Sequence, residues 1–76
     1  MPRSLHSLPY KELRFILAKA RGEASLTQAQ VAEKLKRPQS FVSKYESGKR
    51  QLDVIEFLGV CKAIGIPPAQ ALEQLS

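Results

Sequence analysis

The stretch Leu26–Arg50, LTQAQVAEKLKRPQSFVSKYESGKR, decides how this chain folds. Thr27 is a good helix N-cap, and Gln30 three residues on completes a capping box. Leu26 before the cap and Val31 at the fourth helical position are placed to close a hydrophobic staple. Val31, Ala32 and Leu35 then share one face of a helix from Gln28 to about Leu35. Pro38 disfavours helical geometry at Arg37 and suits the start of a second helix, from about Gln39 to Ser47. Val42 and Tyr45 fall at i, i+3 on its inward face, and Gly48 supplies a left-handed stop. Two short helices joined by so tight a turn must cross steeply. Ala32 is then expected where the two backbones come closest, and a bulkier side chain there would force them apart.

The outward face of the second helix carries Gln39, Ser40, Ser43, Lys44 and Ser47, a strip of hydrogen-bonding side chains with one cation and no acid. Most polar strips are solvated helix faces. These residue types also suit the edges of bases in a DNA major groove: Gln pairs with adenine, Lys with guanine, and Ser with several bases. Charge placement favours the second reading. Between residues 34 and 50 six basic residues (Lys34, Lys36, Arg37, Lys44, Lys49, Arg50) face one acid, Glu46. The rest of the chain is balanced, so the whole formal charge of +5 lies in this segment. A solvated surface normally mixes its signs. Positive charge gathered beside a helix is the footprint of a phosphate-binding surface.

In their order and spacing, the motifs L-T-Q-x-x-V-A-x-K-L, S-x-V-S-K-Y-E-S-G-K-R and A-I-G-I resemble the helix-turn-helix domain of the Cro and phage-repressor (XRE-type) family. The resemblance runs from about Leu13 to Leu72 and implies an all-α, five-helix, lambda-repressor-like DNA-binding fold. It makes the second helix of the motif the recognition helix, with base contacts from Gln39, Ser40, Ser43 and Lys44. It also implies phosphate contacts from Thr27 and Gln28, where free amides favour anions, and from Lys49 and Arg50 beyond the recognition helix. A structural ion pair between Arg21 and Glu46 follows from the same resemblance. Two positions depart from the family pattern. Lys36 stands where Gly is usual, so either a non-Gly residue takes a left-handed conformation at a cost of roughly 1 kcal/mol or the Lys adds a phosphate contact. Phe41 replaces a small polar residue, and either packs beside Tyr45 or touches a thymine methyl group.

Outside this stretch, Met1–Ser7 reads as a loose arm in which Arg3 is a candidate groove or phosphate contact and His6 has no catalytic partner in view. A first helix is expected from Leu8–Pro9 to about Arg21–Gly22, with Leu13, Ile16, Leu17 and Ala20 on its core face and Phe15 flanking them. After Arg50, Asp53 and Glu56 form a second capping box, with Leu52 and Phe57 as its staple. This fourth helix is expected to stop at Gly65, with Val54, Phe57, Leu58, Cys61 and Ile64 in the core. Ile55 and Gly59 make an apolar residue beside a glycine notch, either a contact between two subunits or a seat for the last helix. Pro67 and Pro68 begin a short fifth helix to about Leu75, whose Leu72 and Leu75 either cover the core or pair across a dimer.

Seventy-six residues, 43% hydrophobic and 25% charged, fit one small globular domain, here residues 8–76 beyond the arm. No apolar run approaches the ~20 residues of a membrane span, and no secretory signal is present, so a reducing cytoplasm is the expected compartment. One cysteine and one histidine give neither a disulfide nor a metal-ligand set, and no cofactor is expected. Cys61 reads as a small buried apolar residue. No paired carboxylates, nucleophile–base set or Gly-rich phosphate loop points to an enzyme. RNA binding is disfavoured because no stacking aromatics are interleaved with the basic residues.

The expected function is that of a small transcriptional regulator, in the sense of a repressor. A short recognition helix reads few base pairs, so its partner would be a palindromic double-stranded DNA operator bound by a homodimer, with half-sites about 34 Å apart. Two alternatives stay open: an antitoxin that binds DNA and a protein toxin, and a protein-interaction module that kept the fold without DNA binding.

Overall fold

The computed structural model describes residues 8–75; the arm, with Arg3 and His6, and Ser76 lie outside the described residues. Among the described residues five α-helices follow in order: α1 Leu8–Glu23, α2 Gln28–Leu35, α3 Gln39–Ser47, α4 Val54–Ile64 and α5 Pro68–Glu73. Both capping boxes form. The Thr27 hydroxyl accepts from the Gln30 N–H while the Gln30 side chain accepts from the Thr27 N–H, and Asp53 and Glu56 repeat the arrangement ahead of α4. Reciprocal bonds of this kind satisfy donors that the first turn of a helix otherwise leaves unpaired.

The turns explain how α2 and α3 meet. Lys36 takes the left-handed conformation (φ 58°, ψ 42°), and the Lys36 and Arg37 N–H groups close back onto α2, Arg37 donating to the Ala32 carbonyl at 3.0 Å. Gly48, at φ 88°, ends α3 with no Cβ to strain. Between α1 and α2 the chain turns differently from expectation. Gly22 stays inside α1, which runs on to Glu23, and Ser25 supplies the positive φ of 60°.

The core is formed by Ile16 and Leu17 of α1, Val31 and Ala32 of α2, Phe41, Val42 and Tyr45 of α3, Phe57, Val60, Cys61 and Ile64 of α4, and Ala71 of α5. The most extensive packing is α2 on α3, and Ala32 is buried, as a close crossing of the two helices requires. On α4 the expected stripe is wrong at two positions. Val54 and Leu58 are 70% and 43% exposed, while Val60, which was not expected in the core, is fully buried. α5 ends at Glu73, two residues earlier than expected. Phe15 is also exposed rather than flanking the core. Leu75 packs against the core from beyond α5, and Leu72 is half exposed.

Candidate nucleic-acid interface

Phe41, Val42 and Tyr45 fix α3 by its inner face, so Gln39, Ser40, Ser43, Lys44 and Ser47 are all turned outward and exposed. Ser47 donates to the Lys44 carbonyl at 3.2 Å, which leaves Gln39, Ser40, Ser43 and Lys44 as the outward side chains with no bond back to their own helix in this structure. Each helical residue advances about 100°, so Glu46 sits about 60° round the axis from Ser43, and Phe41 about 60° from Lys44 on the other side. An ionic cluster borders the strip at each of these two positions.

On the Ser43 side, Glu46 is turned away from the strip. Arg21 of α1 donates Nε to Oε2 at 2.7 Å and Nη2 to Oε1 at 3.0 Å, and Gln28 of α2 adds Nε2 to Oε1 at 2.9 Å. The pair expected from Arg21 and Glu46 is therefore bidentate and mostly shielded, with side-chain exposures of 21% and 9%. The Glu46 carboxylate raises the Arg21 pKa, chiefly through its hydrogen bond. Arg21 also reaches the Leu26 carbonyl at 2.9 Å, so one guanidinium ties α1, the α2 approach and α3 together. The consequence for the surface is that the only acid in the basic segment is neutralised. Gln28, expected at a phosphate, has its side-chain amide on Glu46 instead, which leaves its backbone N–H for an anion. The Thr27 hydroxyl accepts within the cap and keeps its own O–H to donate.

On the Lys44 side, Arg37 and Arg50 both stack on Phe41, with guanidinium carbons 4.3 and 4.8 Å from the ring centroid. Phe41 itself is 6% exposed and meets Tyr45 edge-on at 5.7 Å between centroids, so it packs beside Tyr45 rather than standing out toward a base. Glu56 binds both cations: Arg50 Nη1 to Oε1 at 2.9 Å, Arg50 Nη2 to Oε2 at 2.8 Å and Arg37 Nη2 to Oε2 at 3.1 Å. These bonds, that of Arg50 first, with the Asp53 N–H, hold the Glu56 carboxyl down to about 2. Arg50, expected at a phosphate, is thus engaged within the protein itself. Its guanidinium bonds Glu56 of α4 and the Gln51 carbonyl. Sequence reading counted Arg37 only in the charge of the basic segment and saw Glu56 only as a cap. The one available signal was an aromatic residue, Phe41, with an arginine four residues before it.

Lys34, Lys36, Lys44 and Lys49 are exposed. The remaining expected contacts do not form one surface. Ile55 is 75% exposed, but a Cβ on Gly59 would meet Leu35 of α2 at 3.6 Å, so the notch faces α2 and not the last helix. Leu75 faces the core. Among the described residues no group of three or more His, Cys, Asp or Glu could hold a metal ion, and no helix is long and apolar enough to cross a membrane. Cys61 is fully buried, which raises its thiol pKa and keeps it protonated.

The helix-turn-helix family profile matches residues 17–70. The solved structure of an XRE-family like protein from Pseudomonas syringae pv. tomato str. DC3000 has a TM-score of 0.88 at 47% identity, covering 92% of this chain and 85% of that one. The chain belongs to the XRE-type helix-turn-helix family. The restriction-modification controller protein C.Esp1396I has a similar fold. A point mutant of it has a TM-score of 0.83 at 25% identity, covering 91% of this chain and 87% of that one. The same controller as a tetramer in complex with its natural 35 base-pair operator has a TM-score of 0.84 at 23% identity, covering 92% of each chain. No curated protein sequence matches this XRE-type chain significantly.

Proposed function

We propose that this protein is a sequence-specific double-stranded-DNA-binding regulator that acts as a repressor. The observation that carries the reading is the acid-free outer face of α3: the one acid of the helix, Glu46, is drawn back onto Arg21 and Gln28. Laid in a major groove, α3 offers Gln39, Ser40, Ser43 and Lys44 to base edges. The Thr27 hydroxyl, the amides at the α2 N-terminus, Lys36 and Lys49 lie to either side as contacts to phosphate. Occupancy of a promoter obstructs polymerase, so repression is the sense we assign.

Two copies bind a palindromic operator in this reading. A controller protein of the same fold is a tetramer on its operator. On this chain Val54, Ile55 and Leu58 form an exposed apolar arc on α4. Asp53 at one end of the arc and Lys62 at the other would pair across a two-fold axis between antiparallel α4 helices.

The test is a fluorescence-anisotropy titration against the protein's own promoter fragment and a scrambled duplex, at about 50 and 200 mM salt. Salt-sensitive binding that prefers the promoter is expected. Equal, weak binding to both duplexes overturns the proposal.

A further inference from the structure

Glu56 receives four donors: two from Arg50, one from Arg37 and the Asp53 backbone N–H at 3.0 Å. The last of these is the capping bond of α4, and a Gln at this position would make it equally well. The negative charge is therefore surplus to capping. Its distinctive effect falls on Arg37 and Arg50, two like charges stacked on one phenyl ring at the Lys44 edge of the α3 strip. Both remain partly open to solvent, with side-chain exposures of 42% and 37%. Arg37 gives Glu56 a single N–H from a guanidinium that carries five donors.

We infer that Glu56 is a built-in competitor for phosphate, holding Arg37 and Arg50 partly neutralised beside the recognition strip and so limiting sequence-independent affinity for DNA. The inference rests on the DNA-binding reading above. A DNA phosphate approaching this edge meets a cluster of two cations and one anion. It gains one unit of positive charge from the cluster where the arginines alone would offer two. Phosphate contacts carry no base information. Glu56 thus holds down the background against which Gln39, Ser40, Ser43 and Lys44 discriminate.

The experiment compares the wild type with Glu56→Gln, Arg37→Gln and the triple variant Glu56→Gln/Arg37→Gln/Arg50→Gln, on the promoter fragment and the scrambled duplex across a salt series. Glu56→Gln is expected to bind the scrambled duplex roughly five- to tenfold tighter near 100 mM salt, with a log–log salt slope steeper by about one. The triple variant loses that gain. Arg37→Gln leaves the Arg50–Glu56 pair and the α4 cap in place and is expected to bind more weakly with a shallower slope. It carries the test if circular dichroism shows Glu56→Gln unfolded. A folded Glu56→Gln with unchanged or weaker binding and an unchanged slope means that the ion pairs only brace the fold, and overturns the inference. Unchanged binding by Arg37→Gln does the same. Preference of the wild type for the promoter reports separately on the DNA-binding reading. If that preference holds while Glu56→Gln gains nothing, the inference alone fails.

Discussion

Lys44 and Lys49 are both exposed, five residues apart in sequence, and the geometry gives them different work. Lys44 stands on the outward strip of α3, which in the proposed mode of binding meets base edges. Lys49 follows the Gly48 turn, off the helix, and in the same proposed mode meets only the phosphate backbone. Lys44→Ala is therefore expected to cost ~1–3 kcal/mol on the promoter and to relax preference at one base pair. Lys49→Ala should weaken promoter and scrambled duplexes alike. Equal, sequence-blind losses in binding titrations of the two variants would show that Lys44 is not a reader. Glu56 makes a second residue-scale prediction through its titration. Its carboxyl, held near 2 by Arg50, the Asp53 N–H and Arg37, is depressed from an ordinary 4.5. A depressed carboxyl contributes stability that is fully present above its unfolded value and is lost as pH falls through the folded one. Thermal melts between about pH 5 and 2 should fall less steeply for Glu56→Gln than for the wild type. Parallel curves would mean that the ion pairs contribute nothing to folding. Tyr45 makes a third: its hydroxyl is buried with no hydrogen-bond partner among the described residues, and burial pushes its pKa up. Leaving a buried polar group unpaired costs about 1–3 kcal/mol, so Tyr45→Phe is expected to hold or raise the melting temperature. A clear drop would reveal a partner for that hydroxyl.

The ends of the elements were far more legible in the sequence than their inner faces. Thr27 with Gln30, Asp53 with Glu56, Gly48 and Gly65 each place a helix boundary by local chemistry, because capping involves residues within one turn of each other. The outward strip of α3 was legible for the same reason, since its inward residues fix the helix rotation. α4 was not: Val54 and Leu58 fit a helical stripe, but what covers a stripe is another helix, and where that helix lies is not written in α4. The Arg37–Phe41–Arg50–Glu56 cluster was hidden likewise, as it joins residues from the α2–α3 turn, α3, the α3–α4 loop and α4. The left-handed Lys36 was one of two readings the sequence left open, and it is a place where the α2–α3 turn can be improved. A non-Gly residue at φ 58° carries a strain of roughly 1 kcal/mol, which Gly relieves. Lys36→Gly should raise the melting temperature while making the salt dependence of DNA binding shallower. A shallower slope with no gain in stability would place the value of Lys36 in its charge alone. A slope that does not change would remove it from the phosphate contacts.

At the scale of the whole molecule, one copy of α3 is too short to specify a promoter, and the question is which surface joins two copies. Val54, Ile55 and Leu58 occupy an arc of about 100° on α4, turned away from the core residues Phe57, Val60, Cys61 and Ile64. Three large apolar side chains on one short helix form the kind of contiguous patch that marks an interaction site. A second copy suits it because antiparallel α4 helices related by a two-fold axis bring Leu58 to the axis, with Asp53 opposite the Lys62 of its mate. Ile55 tests this without disturbing the monomer, because at 75% exposure it has few packing contacts to lose. Ile55→Glu places a charge within the apolar contact between the two α4 helices and should shift sedimentation from dimer to monomer. The melting temperature extrapolated to low protein concentration should stay the same. Promoter affinity should then fall toward that of a scrambled duplex, since half-sites bound independently lose the gain of linkage. If Ile55→Glu sediments as the wild type does and keeps its promoter preference, the two-fold axis lies elsewhere, and Leu72, half exposed on α5, is the next residue to substitute.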